Sequence, residues 1–119
     1  MSRRTAADLV RSSMSEELTP EAVAALPGAT VLEFGASWCG ICAGARPSID
    51  RALAERPGLR HVWVEDGPGK RLGRSFRIKL WPTLVVLRDG REVARVVRPR
   101  DVDAVRVALD GGAQPSPGA

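Results

Sequence analysis

The strongest constraint in this chain is a pair of cysteines two residues apart, Trp38-Cys39-Gly40-Ile41-Cys42. They stand where an apolar run, Thr30 to Gly35, gives way to a helical pattern. A short apolar run ending in glycine reads as a buried strand, and the pattern behind it runs to about Arg56, where Pro57-Gly58 stops it. Cys39 therefore falls at a helix N-terminus, where unpaired backbone N–H groups and the positive end of the helix dipole favour an anion. A thiolate is the nucleophile in disulfide exchange, so this position lowers the Cys39 pKa and activates the sulfur. Cys42 lies one turn on and on the same side, close enough to close a disulfide with Cys39. The roles then divide: Cys39 attacks a substrate disulfide, and Cys42 resolves the mixed disulfide.

Other uses of such a pair are tested by counting ligands. A structural zinc site needs about four. With two cysteines and one histidine, His61, the chain cannot complete an ordinary one alone, so no metal is expected. Haem attachment needs histidine after the second cysteine, and Ala43 is there. Inert buried cysteines remain an alternative.

Around the motif the chain reads as one domain. Residues 1–18 form a polar extension with at most a short helix near Ala6–Ser13. Thr19-Pro20-Glu21 starts a helix, with a hydroxyl cap, proline at the first position and an acid in the first turn, and Pro27-Gly28 ends it. Pro47 lies within the long helix and should kink it. Leu59–Glu65 is a strand, Gly67-Pro68-Gly69-Lys70 a turn, and Lys70–Phe76 a short helix. Thr83–Leu87 and Glu92–Val97 are strands joined by Asp89-Gly90, a hairpin signal because glycine supplies the positive φ. Asp101 to Asp110 is the last helix, with Val102, Val105 and Leu109 on one face. Residues 19–110 thus form the domain, Gly111-Gly112 ends the helix, and 111–119 is a disordered tail. The strand–helix–strand unit makes a parallel pair and the hairpin adds two antiparallel strands. The expected fold is α/β, a three-layer α/β/α sandwich around a mixed four-stranded sheet. A fifth strand would have to come from residues 1–18, where none is obvious.

The segment Phe34-Gly35-Ala36-Ser37-Trp38-Cys39-Gly40-Ile41-Cys42 resembles the active-site signature of the thioredoxin family. Pro47 matches the family's kinking proline, Trp81-Pro82-Thr83 its cis-proline loop, and Asp89-Gly90 its strand-connecting turn, so the resemblance covers about residues 30–110. It implies a thioredoxin fold and a protein disulfide oxidoreductase whose Cys39–Cys42 disulfide does the redox work without a cofactor. It implies that Pro82 is cis beside the cysteines and that the backbone at Trp81 pairs with an extended substrate. Trp38, Gly40, Ile41, Trp81, Pro82 and Thr83 are then the substrate-facing residues, and Trp63 is expected in the core. Proline is usual where Ile41 stands, which points to a less reducing couple. Lysine is common where Trp63 stands.

Glu33 interrupts a strand expected to be covered on both faces, and a buried charge is costly unless paired or neutralised. Either it is a strand-end residue whose carboxylate reaches water, or it is a buried carboxyl that takes the Cys42 proton, directly or through water. Thioredoxins usually carry an aspartate here, six residues before the first cysteine.

Composition bounds the partners. The net charge is +4, but the arginines are scattered among acids and aromatic residues make up 4%, too few for a base-stacking surface. No specific nucleic-acid partner is expected, and no apolar stretch approaches the roughly 20 residues of a membrane span. No signal peptide is read behind Arg3-Arg4, so the expected setting is the cytoplasm, with thiols kept reduced. The expected protein is a monomer that reduces protein disulfides and is recharged by an upstream thiol reductase. The alternative is a binding or scaffold module whose cysteines are vestigial or redox-sensing.

Overall fold

A computed structural model describes residues 18–113. The elements run α1 (Pro20–Ala24), β1 (Ala29–Gly35), α2 (Gly40–Ala54), β2 (Arg60–Glu65), α3 (Arg71–Ser75), β3 (Thr83–Arg88), β4 (Arg91–Val97) and α4 (Val102–Ala113). The strands form one sheet in the order β2-β1-β3-β4. β1 and β2 are parallel, while β3 is antiparallel to both β1 and β4. This is the mixed four-stranded α/β architecture expected from the sequence.

The local signals act as anticipated. Thr19 Oγ1 accepts the Ala22 N–H at 3.0 Å and caps α1, with Pro20 at its first position. Asp89 and Gly90 both adopt positive φ, 50° and 81°, the backbone of a tight two-residue hairpin turn.

Strand periodicity then sorts the side chains. Leu32 and Phe34 of β1 join Val23, Leu26, Val62, Leu72, Val85 and Leu87 beneath α1 and α3. On the other face Val31 packs with Ile49, Ala52, Leu84, Val86, Val105 and Leu109 beneath α2 and α4. Glu33 and Gly35 continue the Val31 row, so the fold itself sends the Glu33 carboxylate under α2. β2 is an edge strand, and its His61, Trp63 and Glu65 alternate with buried Val62 and Val64. They share the Glu33 face but stay only partly covered.

Two expectations need correction. Helix α4 does not stop at Gly111-Gly112 but continues to Ala113. A Cβ at Gly111 would stand 3.1 Å from the Ala94 Cβ, so glycine there keeps α4 close to β4, and that packing offsets its cost of about 1 kcal/mol in a helix. Trp63 is half-buried on the edge strand rather than core. The possible helix near Ala6–Ser13, with the rest of 1–17, and the tail 114–119 lie outside the described residues.

Candidate functional site

The end of β1 and the start of α2 place the two cysteines. Cys39 is the residue preceding α2, in extended conformation, and its Sγ accepts the Cys42 backbone N–H at 3.2 Å. A sulfur thus occupies the place usually taken by a capping hydroxyl or carboxylate. Both cysteines are free thiols, Cys39 partly exposed and Cys42 buried beneath it. A thiol hydrogen bond from Cys42 is the largest influence holding the Cys39 pKa below its ordinary value. It is opposed by desolvation and helped, to a smaller degree each, by the Cys42 and Ile41 N–H groups and by the Arg98 cation. Burial, above all, pushes Cys42 up to about 11, and the Cys39 and Glu33 charges push the same way. The pKa values of the two thiols thus move in opposite directions, down for the more exposed sulfur and up for the buried one.

Since a lowered pKa populates the anion at lower pH, alkylation of Cys39 by iodoacetamide should titrate with a midpoint below the ordinary cysteine value of about 8.5. Cys42 should stay unmodified until the pH nears about 11. Mass spectrometry of each site against pH checks this, and a Cys39 midpoint at or above the free value contradicts it.

Glu33 is fully buried, so its carboxylate is closed off from bulk solvent. A lone buried carboxylate costs several kcal/mol, and the structure answers it with charge. Arg46 of α2 lies 3.0 Å from Oε1 through Nη1 and 2.7 Å from Oε2 through Nη2, while His61 Nε2 lies 2.7 Å from Oε1. Oε2, despite the ion pair, accepts no well-directed hydrogen bond. Partial burial works against the Arg46 cation, but the Glu33 charge holds its pKa above the ordinary value. Trp63, opposite Glu33 in register, leaves this pairing to Arg46, whose guanidinium stacks over the Trp63 ring at 5.4 Å.

Gly35 makes the close packing possible. A Cβ there would come 2.7 Å from Trp63 Cη2 and 2.9 Å from Cys42 Sγ. Trp63 Nε1 donates to Glu65, whose carboxylate also accepts the Ser37 N–H. An open cleft of about 340 Å³ lies here, lined by Ala36, Cys39, Cys42, Arg46 and Trp63.

A second cleft, about 430 Å³, opens on the other side of Cys39 between Trp38, Gly40, Ile41 and Trp81. Trp38 is 75% exposed and meets Trp81 edge-on, with ring centroids 5.4 Å apart. Trp81 is pinned by Asp66, which accepts its Nε1–H at 2.9 Å. The Trp81–Pro82 peptide bond is cis. Pro82 and Thr83 are buried behind this surface, and the Thr83 hydroxyl turns inward to donate to the Leu80 carbonyl at 2.7 Å. Trp38, Cys39, Gly40, Ile41 and Trp81 thus come together on one face, while Pro82 and Thr83, expected there, lie buried and do not line it.

Arg46, His61, Asp66, Leu80 and Arg98 were missed from sequence. Arg46 was within reach: it stands four residues after Cys42 and seven after Cys39, on the same helix face. His61 shares a period-two row with Trp63 and Glu65. Asp66, Leu80 and Arg98 are brought in by loops and carry no local signal. Among the described residues, no three His, Cys, Asp or Glu side chains gather to hold a metal ion.

Comparison with known proteins agrees with this geometry. The family model described as thioredoxin matches residues 12–110. The solved structure of reduced thioredoxin 2 from Pseudomonas aeruginosa PAO1 is 47% identical, with a TM-score of 0.75 over 84% of this chain and 94% of that one. A mutant thioredoxin from Halobacterium salinarum NRC-1 is 26% identical, with a TM-score of 0.65 over 80% and 83%. A curated thioredoxin from Chlamydia trachomatis is 29% identical over 92 residues, 77% of this chain and 88% of its own length. With a strand-to-helix cysteine pair, a buried acid beneath it and this sheet order, the chain belongs to the thioredoxin family.

Proposed function

We propose that this protein, a family member of thiol–disulfide oxidoreductase type, reduces protein disulfides through Cys39 and Cys42. The observation that carries the reading is the helix-capping Cys39 sulfur, partly exposed and directly above a buried thiol. The Cys39 thiolate attacks one sulfur of a substrate disulfide; that S–S bond breaks, and the departing sulfur takes a proton from solvent. Cys42 then loses its proton and attacks Cys39 Sγ, which releases the second substrate thiol and leaves a Cys39–Cys42 disulfide. An upstream thiol reductase returns two electrons and two protons. No separate cofactor enters the cycle.

The resolving step needs a base, because a thiol with a pKa of about 11 is almost wholly protonated at neutral pH. Glu33 is the acceptor in this reading, directly or through water, using the Oε2 that lacks a directed hydrogen bond. Its charge also opposes Cys42 ionisation, so taking up the proton removes the repulsion as the thiolate forms. Glu33→Gln should slow decay of the mixed disulfide near neutral pH by about a hundredfold, the lower end of what a general base contributes. The rate should recover as rising pH lets hydroxide do the work. Stopped-flow tryptophan emission follows the step through Trp38, and an unchanged rate and pH profile would remove Glu33 from the mechanism.

The overall reading is tested by reduction of a model protein disulfide, with a small dithiol as electron source. Rates no faster with the protein than without it would overturn the reading. Monomeric action in the cytoplasm, where thiols stay reduced, completes the proposal.

A further inference from the structure

The cleft beside Cys39 carries charge of one sign. Lys79 and Arg98 line it together with the apolar Trp38, Ile41 and Leu80, and no acid is among the lining residues. Ile41 is 48% exposed and Leu80 46%. Arg98 is aimed rather than loose: its Nε donates to the Trp81 carbonyl at 2.9 Å, and its backbone N–H donates to Pro82 O at 2.8 Å. This leaves both Nη groups without a partner among the described residues, and Lys79 has none there either. Asp66, which contacts the cleft residue Trp81, accepts its Nε1–H, and Asp101, three residues after Arg98, accepts the Ala104 N–H. Arg98 also adopts a φ of 48°, a conformation that favours glycine, so the chain keeps a long cation here at some backbone strain. Strain of this kind gathers at functional surfaces.

Resting on the oxidoreductase reading, we infer that this cleft selects extended protein segments with acidic side chains flanking the target cysteine. The apolar floor of Trp38, Ile41 and Leu80 holds the segment, and Lys79 and Arg98 meet its carboxylates on either side. Opposite charge on the rim of a docking surface chiefly accelerates encounter and excludes like-charged partners, and salt screens it. Arg98 is a specificity residue here, acting on the substrate's charge in addition to its influence on the Cys39 anion.

The test uses three peptides, each with one cysteine held as a mixed disulfide to 2-thiopyridine and flanked on both sides by Glu, Gln or Lys. The reduced full-length chain is added in excess. Cys39 forms a bond to the peptide sulfur, the bond to the pyridyl sulfur breaks, and the released thiopyridone is followed by absorbance. The Glu peptide should react about fivefold faster than the Gln peptide at low salt, the scale of one or two solvent-facing charge pairs, and the Lys peptide slowest. The difference should shrink at high salt. The double variant Lys79→Gln/Arg98→Gln should react with all three at one rate. Because any change in Cys39 itself acts on every peptide alike, the ratio between peptides isolates recognition from nucleophilicity. Equal Glu and Gln rates in the parent, or a preference that survives in the double variant, overturn the inference and leave the oxidoreductase reading standing. Thiopyridone release no faster than in a protein-free control, from any peptide, overturns both.

Discussion

Cys39→Ser is expected to reduce catalysed disulfide reduction to the rate of the protein-free control while leaving the fold in place. Serine is a strong helix-capping residue, so its Oγ can take over the Cys42 N–H that Sγ now accepts, and α2 keeps its start. What is lost is the anion, because a hydroxyl stays protonated throughout the pH range in which the protein is folded, and no attack begins. Cys42→Ser is expected to separate the two halves of the cycle. Cys39 still attacks, no resolving sulfur follows, and a covalent adduct with the substrate accumulates on non-reducing gels. A binding or scaffold module with idle cysteines behaves otherwise: partner binding survives Cys39→Ser, and no adduct forms in Cys42→Ser. Turnover that persists in Cys39→Ser would overturn the assignment of the attacking sulfur.

How much of this could be read from the chain depended on whether the signal was local. The helix starts at Thr19 and before Gly40, and the turn at Asp89-Gly90, are written in adjacent residues, and each appears where its residues put it. Glu33 was conspicuous because one charge broke an apolar run, and its full burial follows from β1 lying inside the sheet. Its partners were harder to find. Arg46 stands thirteen residues away and His61 twenty-eight, and they meet Glu33 only once α2 crosses above β1 and β2 pairs beside it. Trp63 was misplaced for a related reason. An apolar residue between valines reads as core, but on an edge strand the face under the start of α2 opens to solvent. Helix α4 ran past Gly111 because close packing of that glycine against Ala94 offsets its helix-propensity cost of about 1 kcal/mol, a long-range contact that local sequence does not show.

The largest effect on stability is expected from the smallest substitution, Gly90→Ala. Gly90 adopts φ of 81°, where an L-residue with a side chain loses about 1–2 kcal/mol. Strain is only part of the cost, because a new Cβ would run into the backbone carbonyl of Ala24, the last residue of α1. The turn cannot simply back away. The Asp89 N–H donates to Gly28 O at 2.9 Å, and Asp89 Oδ1 accepts the Gly28 N–H at 2.8 Å, which ties the hairpin to the loop behind α1. Relief must therefore move α1, which holds Val23 and, just beyond its end, Leu26 in the core beneath the sheet. Together these effects should cost about 2–4 kcal/mol, the range in which backbone strain and a clash combine. For a domain of this size that lowers the melting temperature by roughly 10–20 °C. Gly44→Ala is the matched control: it lies inside α2 with nothing within 4 Å of the added methyl, so the same change there should stabilise by about 0.5–1 kcal/mol. Urea midpoints at constant slope separate the two, and a Gly90→Ala protein as stable as the parent would show that α1 yields freely. Below its melting point the variant should keep the low-pH alkylation of Cys39, because Gly90 and the Trp81-Pro82 loop sit at opposite ends of β3.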